Sequence, residues 1–159
     1  MAEKQTSLSA GSMRVVIDTN IVFSALLNRK SNIGEIILNS QESFVFYGCE
    51  SLKEEIRTYK EKIMRLADYD PAAYEEVESL VFEQILFISE SAIPFEYWHN
   101  AALFVNDIDM DDIAFVAMSL YFGINIWTGD KQLMNGLIKK GFQNLITTSE
   151  MLRLRNTEG

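Results

Sequence analysis

The chain reads as an α/β protein built on a parallel sheet, and three observations predict that class. Short β-branched runs alternate with helical periodicities from Met13 onward, two of the runs lead into an aspartate at their carboxyl ends, and no linker or internal repeat interrupts the order. With 159 residues, 48% of them hydrophobic and 23% charged, there is enough apolar mass for one globular core.

The elements follow in order. MRVVID (13–18) predicts a strand ending in Asp18, and TNIVFSALLN (19–28) a helix with apolar positions at Ile21, Val22, Ala25 and Leu26. SNIGEIILNSQ (31–41) predicts a short helix and SFVFYG (43–48) a strand stopped by Gly48. Longer helices are expected over ESLKEEIRTYKEKIMRLA (50–67) and, after Asp70 and Pro71, over AAYEEVESLVFEQI (72–85). LFIS (86–89) is read as a third strand because SESAIP, rich in turn residues, follows it. PFEYWHNAALFVN (94–106) is amphipathic, whereas DDIAFVAMSLYFG (111–123) is apolar on nearly every face and predicts a central helix stopped by Gly123. INIWTGD (124–130) is expected to be a strand ending at Asp130, KQLMNGLIKKG (131–141) a helix closed by Gly141, NLITT (144–148) the last strand and SEMLRLR (149–155) a closing helix.

The first twelve residues, MAEKQTSLSAGS, are polar and aperiodic and are read as an expression tag or disordered tail, leaving a single domain over 13–155. No apolar run reaches the about 20 residues of a membrane span, so a cytoplasmic protein with no membrane partner is expected. The one cysteine, Cys49, excludes an internal disulfide and reads as a small buried residue. A net charge of −9 argues against a surface that attracts nucleic acid as a whole. It leaves a phosphodiester substrate open, because carboxylates that hold a divalent cation become attractive to phosphate. No glycine-rich phosphate loop follows the first strand. His99 stands alone, beside Trp98, and is expected to be an ordinary surface or partly packed residue.

The acids carry more information. In an open parallel sheet, ligands bind at the carboxyl ends of the strands. Asp18 and Asp130 sit at such ends, each near a threonine, Thr19 or Thr128. NDIDMDDIAF (106–115) packs four aspartates into six positions, and its Asp111 and Asp112 open the buried helix that leads to the Asp130 strand. The alternate spacing of Asp107, Asp109 and Asp111 imitates the start of a calcium loop, but Asp112 stands where that loop needs Gly and Met118 where it needs Glu. Glu54 and Glu55 lie early in the helix after the second strand. Four segments thus bring carboxylates to one edge, and an oxygen-only donor set selects a hard cation such as Mg²⁺ or Mn²⁺.

Through VVIDTNIVFSALL, SLKEEI and DIDMDDIAFVAMSLYFGINIWTGDKQL, the chain resembles the PIN-domain nucleases from about Arg14 to about Leu152. The resemblance implies a PIN-like three-layer fold with a central five-stranded parallel sheet flanked by helices. It further implies divalent-metal-dependent endoribonuclease activity and frequently a homodimer. Small members of VapC type are toxins neutralised by a cognate antitoxin. Carried over residue by residue, the catalytic acids would be Asp18, Glu55, Asp112 and Asp130, with Asp18, Asp112 and Asp130 as metal ligands. Glu55 is preferred to Glu54 because Ile56 follows it, and Asp112 to Asp111 because Phe115, Ala117 and Ser119 then fall at the family's apolar and small positions. Ser119 replaces the usual alanine. Thr19, Asn20 and Thr128 would orient the acids or bind the attacking water, with Asp109 and Asp111 in supporting places. The alternative is a PIN-like module, binding nucleic acid or protein, that has lost catalysis.

Two other chemistries fit worse. An aspartyl-phosphate phosphatase with Asp18 as nucleophile wants a second aspartate two positions on, where Asn20 stands. A receiver-like signalling domain wants an aspartate closing a middle strand, where LFIS ends in Ser89.

Overall fold

The structure is a computed structural model and describes residues 12–158. The tail read from residues 1–12 lies outside the described residues except for Ser12, whose hydroxyl donates to the Glu42 carbonyl at 3.1 Å. Five parallel strands form one sheet: β1 Met13–Ile17, β2 Phe44–Cys49, β3 Ile85–Ile88, β4 Asn125–Trp127 and β5 Leu145–Ile146, in the spatial order β3-β2-β1-β4-β5. The α-helices among the described residues are α1 Thr19–Leu27, α2 Asn32–Asn39, α3 Ser51–Thr58, α4 Lys60–Ala67, α5 Pro71–Phe82, α6 Phe95–Val105, α7 Ile113–Phe122, α8 Lys131–Lys139 and α9 Thr148–Glu158. The expected α/β class and five-stranded PIN-like sheet are therefore present.

The chain lays β1 first, adds β2 and β3 on one side, then crosses to the other side for β4 and β5. Strand order reverses between β1 and β4, and a ligand crevice opens where the two neighbouring connections leave in opposite directions. Val15, Val16 and Ile17 are fully buried, as are Ile126 and Trp127 opposite them, so the sheet centre is dry on both faces. Trp127 packs against Phe46 with ring centroids 5.9 Å apart and donates its indole N–H to Thr148 Oγ1 at 3.0 Å.

The apolar run after Asp112 becomes α7, with Phe115, Val116, Ala117, Met118 and Ser119 buried. It ends where Gly123 takes a left-handed φ of 67°, a conformation that costs a side-chain-bearing residue. Ser119, the departure from alanine, is fully buried and donates its hydroxyl to the Ile124 carbonyl at 2.6 Å. That bond ties the helix end to the residue before β4.

Several boundaries differ from expectation. The helix expected over 50–67 is two helices, broken at Tyr59, where φ −97° and ψ 6° leave helical geometry. Thr58 helps close the first by donating its hydroxyl to the Glu55 carbonyl at 2.6 Å, a local bond that competes with helix continuation. Gly48 does not stop β2, which runs on to Cys49; it lies inside the strand where a Cβ would come within 3.0 Å of Ile85 Cγ2. β3 starts at Ile85 and ends at Ile88, one residue earlier than expected at each end, because α5 stops at Phe82. β4 ends at Trp127 and β5 has only two residues, so Asp130 belongs to a helix start and not to a strand. Asp111 and Asp112 fall in a 3₁₀ turn, Met110–Asp112, that precedes α7. Cys49 is buried, as expected. No helix among the described residues is long and apolar enough to cross a membrane.

Replacing Ser119 by Ala removes a buried donor and leaves the Ile124 carbonyl without it. Ser119→Ala is expected to lower unfolding free energy by roughly 1–2 kcal/mol. Urea titration followed by Trp fluorescence measures this, and an unchanged midpoint would show that the bond contributes nothing net.

Candidate active site

Asp18 follows β1 and caps α1, its Oδ1 accepting from the Ile21 amide at 3.0 Å. The pairing of β1 with β4 ends at Ile17 opposite Trp127, so the next residues, Asp18 and Thr128, come abreast. The Thr128 hydroxyl donates to Asp18 Oδ2 and accepts from the Asp130 amide at 3.0 Å. Asp130 in turn caps α8, its Oδ1 accepting from the Leu133 amide at 3.0 Å. Two strand ends and two helix starts are thus joined by one short chain of bonds through a threonine that is 1% exposed.

Glu55 reaches this edge from α3. Thr19, in the first turn of α1, donates its hydroxyl to Glu55 Oε2 at 3.0 Å. Glu55 is half-buried and Glu54 exposed, since Leu52 and Ile56 turn inward on the same helix and carry Glu55 partly with them. Asn20 is exposed beside Thr19.

The aspartate-rich segment divides its acids among different tasks. Asp107 pairs with Lys140, whose ammonium also donates to the Leu103 and Phe104 carbonyls at 3.2 and 2.9 Å. This clasp fastens the end of α6 to the end of α8 and uses one of the late basic residues. Asp109 caps the 3₁₀ turn, its Oδ1 accepting from the Asp111 amide at 2.9 Å. Asp109 and Asp111 are exposed. Asp112, half-buried at the start of α7, caps no backbone amide with its side chain.

Electrostatics link these acids across the crevice. Burial pushes the Asp18 carboxyl up to about 6, against the bonds from Thr128 and Ile21, and the charge of Asp130 adds to the rise. Burial is also the largest cause at Asp112, pushed up to about 7, followed by the charges of Asp109, Asp18, Asp130 and Asp111. Segments that start near residues 18, 109 and 130 therefore lie within one another's negative field.

The donor set contains only carboxylate and hydroxyl oxygens, which suits Mg²⁺ or Mn²⁺ and suits softer metals poorly. Among the described residues, no three His, Cys, Asp or Glu side chains stand close enough together to hold a metal ion between them. The residues fit the ion by chemistry and by shared potential, and not by completed coordination.

Tyr59 escaped the sequence reading. It is 40% exposed at the break between α3 and α4, four residues beyond Glu55, and meets Phe23, four residues beyond Thr19, edge to face at 5.8 Å. No sequence signal marked it, because the equal offset acquires meaning only through the tertiary bond from Thr19 to Glu55. His99 is exposed and stacks on Phe95 with ring centroids 6.3 Å apart.

A family model described as PIN domain matches residues 16–152. No curated protein matches the chain. With five parallel strands in the order 3-2-1-4-5 and most of its length matched, the chain belongs to the PIN domain family, whose members are typically nucleases.

Proposed function

We propose that the protein is a divalent-metal-dependent endoribonuclease with Asp18, Glu55, Asp112 and Asp130 as its acids. The observation that carries the proposal is the shared potential across the β1–β4 crevice, where Asp112 responds to Asp18, Asp130, Asp109 and Asp111 from separate segments. Asp18, Asp112 and Asp130 are the ligands for Mg²⁺ or Mn²⁺. Once bound, the cation supplies Lewis-acid stabilisation of the phosphate oxygens and lowers the pKa of water.

The protein's own residues do the rest. Thr128 fixes the Asp18 carboxylate by donating to Oδ2, while the Ile21 amide fixes Oδ1, so this ligand is held from both sides. Thr19 holds Glu55 by Oε2, leaving its other oxygen to orient the attacking water or take its proton. Asn20, exposed next to Thr19, would orient the acids or bind the attacking water. Asp109 and Asp111 add negative potential at Asp112.

The resemblance to VapC-type members extends the proposal to the toxin component of a toxin–antitoxin pair in the cytoplasm, working as a homodimer. The exposed Phe95 and Leu103 on α6 support a protein-binding face.

Asp18→Asn and Asp130→Asn are expected to reduce Mn²⁺-dependent cleavage of a mixed RNA pool at least a hundredfold while each variant keeps its far-UV circular dichroism. Undiminished cleavage by both variants would remove these residues from the site; failure of the folded parent to cut any RNA with either metal would favour the module without catalysis.

Stability carries a second prediction. Asp18 and Asp112 hold protons more tightly in the folded chain than in the unfolded one, where aspartate titrates near about 3.9. Between about pH 4 and 7 the folded state therefore binds more protons, and these groups make stability fall as pH rises through that window. In EDTA, Asp112→Asn should raise the melting temperature relative to the parent near about pH 8 and leave it unchanged near about pH 4. A variant that is less stable than its parent at the higher pH would reverse the sign and refute the assignment.

A further inference from the structure

We infer that Tyr59, braced by Phe23 and flanked by Lys62, is a stacking platform for an unpaired nucleotide of the RNA adjoining the phosphate that is cut. The inference rests on the nuclease reading and narrows its substrate to RNA that is single-stranded beside the cleavage point.

The geometry begins at the acids. α1 and α3 leave the crevice side by side, joined by the bond from Thr19 to Glu55 at 3.0 Å. Phe23 and Tyr59 each lie four residues further on, so the ring pair sits about one helical turn, ~5.4 Å, beyond that bond along α1. The rings meet edge to face, with centroids 5.8 Å apart and planes at 85°. Lys62 places its ammonium 5.7 Å from the centre of the Phe23 ring. An aromatic surface and a cation therefore lie about one helical turn from the Thr19–Glu55 bond.

The helix break gives the ring its position. At Tyr59 the backbone leaves α3 and enters α4 without losing its bonds: its amide donates to the Ile56 carbonyl at 2.9 Å and its carbonyl accepts from Ile63 at 2.9 Å. The side chain stays 40% exposed although both helices bury apolar residues beside it, Ile56 and Ile63. Phe23, partly buried against the core, backs the Tyr59 ring on one side, which reduces the freedom to be lost when a base stacks on it.

Local charge agrees. Residues 57–65 carry four of the 14 Lys and Arg of the chain, Arg57, Lys60, Lys62 and Arg65, against one acid, Glu61. In a protein of net charge −9 this is a basic island beside the acids, and it fits a polyanion that must approach them. Arg57 faces Glu78 at 3.8 Å and Lys60 lies over Tyr74, which leaves Lys62 as the cation next to the platform. Stacking on an aromatic ring tolerates any base but requires that the base be unpaired.

The test uses the Asp112→Asn protein, which keeps RNA uncut, and a short unstructured RNA carrying one photoreactive iodouridine. Crosslinking is expected at Tyr59. In the same background Tyr59→Ala should weaken binding roughly fivefold to a hundredfold, the range for one lost base stack, while Tyr59→Phe binds as the parent does. Lys62→Gln should lower the salt dependence by about one phosphate contact. The same RNA annealed to its complement should bind more weakly. Affinity of Tyr59→Ala within about twofold of its background, with crosslinks elsewhere, overturns the platform, as does a Tyr59→Ala protein that changes only its oligomeric state. Metal-dependent cleavage by the unsubstituted protein, measured in parallel, separates the two failures. Cleavage with no effect at Tyr59 leaves the nuclease standing without the platform, whereas neither cleavage nor binding removes both.

Discussion

The candidate site depends on the parallel pairing of β1 with β4. This pairing joins the first strand of the chain to the fourth across the only reversal of strand order, and its register ends at Ile17 and Trp127. Asp18 and Thr128 are then opposite one another by construction, and their hydrogen bond closes the contact. Val15, Val16 and Ile17 are fully buried between the layers on both faces, so their packing holds the register on which the geometry of the acids depends. Val15 to Ile17 pack, and Asp18 inherits its place from them.

That arrangement opposes stability locally. A carboxyl that is 2% exposed loses most of its hydration, and two hydrogen bonds do not fully replace it, because the Asp18 carboxyl still lies above its ordinary range at about 6. Asp112 is raised further although it is less buried, since it adds like charge from several segments to its own desolvation. A fold selected for stability alone would place a neutral residue at either position. The rest of the core has to offset the strain, and the dry centre around Trp127 and Phe46 supplies apolar burial next to the site.

The class, the strand order of appearance and the acids at the sheet edge were legible in the sequence because each depends on a short-range pattern. VVID, IAFVAMSLYFG and INIWTGD owe their signals to continuous apolar runs and to glycines or aspartates at their ends. The break at Tyr59 was not legible, because residues 50–67 keep helical spacing throughout, and the Thr58 bond and Phe23 contact that accompany the break are not announced by spacing. Gly48 misled for a related reason. A glycine often punctuates a strand, but here it lies inside one, close to the Ile85 side chain, and only the neighbouring strand reveals that. The bond from Thr128 to Asp18 spans 110 positions, and no local pattern announces it.

The aspartates of NDIDMDDIAF illustrate how local charge and net charge carry different meanings. Asp107 is spent on Lys140 and serves the packing of α6 against α8. Asp109 is spent on the Asp111 amide and serves a turn. Within this cluster, Asp112 combines partial burial with a side chain that caps nothing, and its proton affinity is raised by burial and by acids that include Asp18 and Asp130 on other segments. The cluster is therefore not one site with four members but one acid carried to the crevice by a turn that its neighbours shape. A negative total charge then says little about the substrate, because what meets a phosphate is the balance of charge near the site and not the sum over the chain.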